Sequence, residues 1–181
     1  MKKLASLLLA TVMLGMAAGA NAVTINFDSA ECGTCSSGTP VVGDEWAAFG
    51  ITVNQAYWYF DGRDTFDQEG LSVNIDPASI VFDNVSTNAT IDYWVINGFT
   101  GLYQAYDAMN NLIDSILIDA SNGDVLGTYT FVGQVASIVW SGTPGFAQIS
   151  TLTISDVPEP GVLALFLIGG LAGLLGRRRR V

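Results

Sequence analysis

The sequence predicts an all-β protein, an antiparallel β-sandwich of jelly-roll type, and three observations predict it. Between residues 23 and 156 the chain is a succession of short segments rich in Val, Ile, Thr and aromatic residues. Turn-forming residues punctuate them, as at Asn97-Gly98, Asn122-Gly123 and Thr143-Pro144-Gly145, where Gly and Asn tolerate backbone that other residues resist. No stretch carries an apolar stripe at helical spacing over three turns. In order, the candidate strands are 23–27, 47–54, 71–75, 79–82, 90–96, 103–108, 112–118, 125–132, 135–140 and 147–155. Asp107-Ala108-Met109-Asn110-Asn111 reads as the turn of a hairpin joining two of them. So many antiparallel strands close off most simply as two packed sheets.

The two ends of the 181-residue chain have a different character. Met1-Lys2-Lys3, an apolar run from Leu4 to Ala18 and the small-x-small triplet Ala20-Asn21-Ala22 form a signal peptide over 1–22, with cleavage after Ala22. The first Cys after it is Cys32, too far away for a lipoprotein anchor. At the other end Val157-Pro158-Glu159-Pro160 precedes an uncharged stretch, 161–176, and then Arg177, Arg178, Arg179 and Arg180. As a helix rising about 1.5 Å per residue, that stretch covers about 24 Å, short of the roughly 30 Å hydrocarbon core of a bilayer. Snorkelling arginines make up part of the difference and hold that end on the cytoplasmic side. Pro158 and Pro160 disfavour helix at the residues before them, leaving the triplet extended.

In order and position, residues 157–181 resemble the PEP-CTERM sorting signal of Gram-negative bacteria. The resemblance implies that Pro158, Glu159 and Pro160 are read by an exosortase in the inner membrane. That enzyme would process the chain near the triplet and pass it to the cell surface or exopolysaccharide matrix. The triplet would then be another enzyme's recognition site and not an active site of this protein. The strands carrying Ile25-Asn26-Phe27-Asp28, Phe49-Gly50-Ile51-Thr52-Val53 and Ile149-Ser150-Thr151-Leu152-Thr153-Ile154 are similar to the opening and closing strands of lectin-like sandwiches found before such tails. This implies fold only.

Charge narrows the function. Of seven basic residues, six lie in the two terminal segments, so Arg63 alone faces seventeen carboxylates, a net charge of −16 between Asp28 and Glu159. Nucleic acid is excluded as a partner, because phosphate binding needs clustered Lys and Arg. The absence of His rules out Ser-His-Asp and Cys-His catalysis as usually built. A glycosidase needs only two carboxylates about 5–10 Å apart, and Asp44, Glu45, Asp61, Asp64, Asp67 and Glu69 are the acids available for that alternative.

Calcium is a second use for acids, since hard cations take six to eight oxygens. Asp28, Glu31, Asp44, Glu45 and Asp156 are the candidate ligands of one Ca²⁺, on the expectation that the ends of the first and last strands meet. Cys32-Gly33-Thr34-Cys35 is expected to close a small local disulfide outside the cytoplasm. A redox role lacks the thioredoxin-type strand–helix setting, and a zinc site lacks further thiols or His. Finally, Tyr57, Trp58 and Tyr59 form a candidate carbohydrate platform beside an acidic loop. Strand alternation sends Tyr57 and Tyr59 to one face and Trp58 and Phe60 to the other, so one pair at most can serve. The sequence thus reads as an exported structural or polysaccharide-binding component of the cell surface.

Overall fold

A computed structural model describes residues 22–27, 37–41, 43–61 and 68–156. The strands are β1 (Ala22–Asn26), β2 (Thr39–Pro40), β3 (Ile51–Asn54), β4 (Ala56–Asp61), β5 (Gln68–Val73), β6 (Ala78–Val95), β7 (Thr100–Tyr106), β8 (Leu112–Asp119), β9 (Val125–Gly142) and β10 (Ala147–Asp156). Among the described residues the one helical element is a 3₁₀ turn, Ala47–Phe49. All strand pairings are antiparallel, so the all-β antiparallel class read from the sequence is the one the chain adopts.

The connectivity differs from two separate sheets. The hydrogen-bonded path runs β2-β4-β5-β10-β6-β9-β7-β8 without interruption, with β1 added on β10 and β3 on β6. Two layers arise because β6 and β9, 18 residues each, belong to both. The later half of β6 and the earlier half of β9 pair from Asn88↔Val132 to Val95↔Val125, alongside β10. The earlier half of β6 and the later half of β9 pair from Ala78↔Trp140 to Val81↔Ser137, alongside β3 and β7. Register shifts at Val81/Ser86 and Ser86/Asn88 lie between the halves, and bulges of this kind bend and twist a strand pair.

The same bend explains where the candidate strands differ from those observed. The segments 79–82 and 90–96 are one strand, and so are 125–132 and 135–140. Polar residues at Asp83, Asn84 and Thr87, which read as a loop, sit exposed on the continuing strand. Gly133, which read as a break, holds φ at 139° within it, a conformation that Gly adopts without strain. In the opposite direction, 47–54 is divided, because Gly50 at φ 76° ends the 3₁₀ turn and β3 starts afterwards. The hairpin at 107–111 forms as read. Asp107 N–H donates to Asn111 O at 3.0 Å, Asp107 Oδ1 accepts from the N–H groups of Met109 and Asn111, and Asn110 takes φ 62°.

The layers close on one apolar core. Phe27 meets Trp46 edge-on, ring centroids 5.1 Å apart. Ile25, Ile91, Leu152 and Phe131 from one layer cluster with Ile51, Ile80, Tyr103, Ile138 and Trp140 from the other. Each such side chain contributes about 1.5–3 kcal/mol by leaving water. Tyr103 adds a polar tie, its phenol donating to the Gln148 carbonyl at 3.0 Å. The signal peptide, the expected helix at 161–176 and the Cys32–Cys35 pair lie outside the described residues. Among the described residues no helix is long and apolar enough to cross a membrane.

Candidate functional site

β4 carries the run Ala56-Tyr57-Trp58-Tyr59-Phe60-Asp61 as a strand, paired on one edge with β5 through Tyr57↔Ser72, Trp58↔Leu71 and Tyr59↔Gly70. Period-2 alternation then decides the fate of each aromatic. Trp58 turns inward with Leu71, is 5% exposed, and donates its indole N–H to the Phe27 carbonyl at 3.1 Å. Phe60 stacks on it with ring planes 10° apart. Trp58 is therefore a core residue, and the three-residue platform read from the sequence reduces to Tyr57 and Tyr59. Those two rings are half-buried on the other face and stand edge to face, centroids 5.9 Å apart and planes at 79°. Such a pair forms a corner rather than a flat shelf.

Polar groups from two neighbouring elements meet this corner. Ser72 of β5, opposite Tyr57, is fully buried. It accepts from the Gly145 N–H at 2.8 Å and donates to the Ala147 carbonyl at 3.3 Å. Gln148 of β10, in register with Ser72, is 1% exposed. Its Nε2 donates to the Gly145 carbonyl at 3.4 Å, while its Oε1 is buried without a hydrogen-bond partner. Gly145, at φ 84°, lets the β9–β10 turn approach the tyrosines, since a Cβ there would sit 3.0 Å from the Tyr57 phenol oxygen. Burial raises the Tyr57 phenol above its ordinary range, a hydrogen bond with Ser72 partly offsets this, and Tyr59 adds to the rise. The phenol is thus neutral at physiological pH.

Sequence reading missed Ser72, Gly145 and Gln148. A lone Ser or Gln in a strand reads as a solvent-facing residue, and the only available signal was Gln148 between Ala147 and Ile149 at the start of an apolar strand. Of the other tryptophans, Trp46, Trp94 and Trp140 are all buried.

β1 and β10 run antiparallel from Ala22↔Ser155 to Asn26↔Thr151, and Phe27 N–H donates to the Ser150 carbonyl. Phe27, the residue next to Asp28, therefore lies at the far end of this ladder from Asp156, about 20 Å away at the usual rise of a strand. Strand pairing thus holds Phe27 and Asp156 at opposite ends of the β1–β10 ladder, so the ends of the first and last strands do not meet as expected. Asp44 is exposed beside the 3₁₀ turn, and Glu45 Oε2 accepts from the Gly43 N–H at 2.9 Å. Among the described residues, no three acidic side chains come together as metal ligands. Asp28, Glu31, Asp64, Asp67, Ala20, Pro158, Glu159, Pro160 and Arg177 to Arg180 lie outside the described residues, as do the side chains of Asp61 and Asp156.

Residues 156–180 match the family model described as the PEP-CTERM protein-sorting motif. The chain is thus an antiparallel all-β domain followed by a sorting motif. No curated protein sequence matches it. Three solved structures are similar in backbone. The first is a two-domain esterase active on acetylated mannans, co-crystallised with mannopentaose, with TM-score 0.38, 16% identity, and coverage of 61% of this chain and 35% of that one. The chain therefore spans about a third of the esterase's length. The second is a family 29 carbohydrate-binding module, with TM-score 0.39, 12% identity, and coverage of 75% and 89% respectively. The third is the C-terminal family 6 module of LamC, a laminarinase from the marine Zobellia galactanivorans, with TM-score 0.38, 9% identity, and coverage of 75% and 100%.

Proposed function

We propose that this protein is exported, sorted to the cell surface of a Gram-negative bacterium through its C-terminal motif, and binds polysaccharide there through the Tyr57–Tyr59 corner. The observation that carries the binding reading is the half-exposed Tyr57–Tyr59 pair, two rings on one strand face with centroids 5.9 Å apart. The two rings supply the apolar contact that one sugar face needs, and the Tyr57 and Ser72 hydroxyls lie within the same cluster.

Export rests on the sorting motif and on the signal peptide of residues 1–22. An exosortase is the processing partner that the motif implies, and the inner membrane is a transient station through 161–176. Mass spectrometry of both ends of the mature protein tests this part. The expected ends are Val23 and a C-terminus near Pro158-Glu159-Pro160 in cells with an exosortase, with the arginine tail retained in cells without it. Identical ends in both strains would overturn it.

A glycan array probed with the purified chain and its Tyr57→Ala and Tyr59→Ala variants tests binding. The expected result is a glycan retained by the parent and lost at least tenfold by each variant, at unchanged circular dichroism and without release of reducing ends. Equal retention by all three would remove the corner from the binding site. Reducing ends released by the parent would replace the binding module with a carbohydrate-active enzyme using paired carboxylates.

A further inference from the structure

We infer that Asn122 is a site of spontaneous covalent modification, losing its side-chain amide to leave aspartate and isoaspartate, while the fold protects the same Asn-Gly dipeptide at Asn97-Gly98. The chemistry needs no enzyme, and water is the co-reactant.

An Asn followed by Gly meets little steric resistance to this reaction, because Gly has no side chain to obstruct the ring that forms. The Gly123 nitrogen gives its proton to solvent base and attacks the Asn122 side-chain carbonyl carbon. The bond from that carbon to the amide nitrogen breaks, ammonia leaves, and a five-membered cyclic imide remains. Water then adds to one imide carbonyl and cleaves its bond to the ring nitrogen. Cleavage at the side-chain carbonyl gives aspartate. Cleavage at the main-chain carbonyl gives isoaspartate, in which the chain runs through the side-chain carbons.

Access to water does not separate the two dipeptides. Asn97 and Asn122 are both exposed at turns, and a Cβ placed on Gly98 or Gly123 would meet nothing within 4 Å. What separates them is the freedom of the attacking nitrogen. Gly98 N–H donates to the Ala120 carbonyl at 2.9 Å, the ordinary length of such a bond. On either side of it, Asn97 N–H donates to Asp124 Oδ1 at 2.6 Å, a charge-assisted bond, and Phe99 N–H donates to the Ile96 carbonyl at 3.1 Å. Three successive N–H groups are therefore pinned around Asn97. Gly123 N–H is directed at the same Ala120 carbonyl, but at 3.3 Å, on an oxygen that already takes the shorter bond from Gly98. The Asn122 amide itself is held weakly, its Nδ2 lying 3.4 Å from Ser121 Oγ. Conversion adds a further negative charge to a turn that already carries Asp119 and Asp124.

The test is peptide mass mapping of the purified full-length chain incubated at 37 °C and pH 8, folded and in denaturing urea, with isoaspartate identified by fragmentation. The urea sample gives the intrinsic ratio of the Asn122 and Asn97 rates. The expected result is that folding raises this ratio at least fivefold, chiefly by slowing Asn97. Asn122→Gln, which would have to close a larger ring, is expected to abolish conversion at this position and leave the Asn97 rate and the circular dichroism unchanged. A folded-chain ratio no greater than that in urea would overturn the inference. So would an Asn122 that stays intact in the folded chain over the time in which the urea sample converts.

Discussion

At the scale of single residues, Tyr103 shows how one side chain couples the layers of this protein. The ring is fully buried in the core beside Tyr93, centroids 5.6 Å apart, and its hydroxyl crosses to the Gln148 carbonyl. Burial pushes its phenol far above the ordinary tyrosine range, with Tyr93 adding to the rise and the bond to Gln148 opposing it. Below about pH 10 the phenol is protonated in both folded and unfolded chains. Above that, the unfolded chain releases a proton that the folded chain keeps, so stability falls as pH rises. Tyr103→Phe is expected to cost about 1 kcal/mol at pH 7 and to flatten the alkaline decline, read as melting temperature against pH from 8 to 11. A decline of unchanged steepness in the variant would show that Tyr103 does not carry it. None of this was legible beforehand, because Tyr103 looks like any strand tyrosine until a partner lies opposite. By contrast, alternation along β4 was legible: Tyr57 and Tyr59 share a face, and Trp58 and Phe60 share the other, as strand geometry requires.

Elements were read well where local chemistry governs and poorly where the sheet governs. The Asp107–Asn111 hairpin needs only its own residues, and its turn signals sufficed. The 18-residue strands β6 and β9 did not yield to the same approach, since polar residues such as Asn84 and Thr87 interrupt a pattern that tertiary pairing carries through. Ser86 is the anchor at this bend. It is 1% exposed, its hydroxyl is directed at the Ser155 carbonyl at 2.8 Å and the Asn88 carbonyl at 2.5 Å, and its oxygen accepts from the Ser155 N–H at 2.9 Å. Ser86→Ala removes these partners from a site with little access to water. It is expected to destabilise by about 1–3 kcal/mol, seen as a lower urea midpoint at unchanged slope. A midpoint within error of the parent would mean that the bend is held by its apolar neighbours alone.

For the whole molecule, charge is the governing property. Sixteen carboxylates against one Arg between the terminal segments repel one another, and salt relieves that repulsion because the screening length falls from about 30 Å at 0.01 M to about 8 Å at 0.15 M. The melting temperature is expected to rise by several degrees between 0.01 and 0.5 M NaCl. Calcium is distinguishable from screening in the same measurement. A rise at 1 mM CaCl₂ that MgCl₂ does not reproduce would indicate a bound ion, held by acids including some of Asp28, Glu31, Asp44 and Glu45, while equal effects would indicate screening alone. A melting temperature indifferent to salt would show that the acids are dispersed widely enough not to interact. The sequence by itself determined the β class, the acidic body, the C-terminal sorting motif and the pairing of tyrosines on one strand face, because each follows from composition, a short motif or a local period. Only the tertiary structure decided that Trp58 belongs to the core, that β1 and β10 keep Phe27 and Asp156 apart, and that Ser72, Gly145 and Gln148 gather around Tyr57. Antiparallel register is set by which strands become neighbours, and that choice depends on the whole core closing at once.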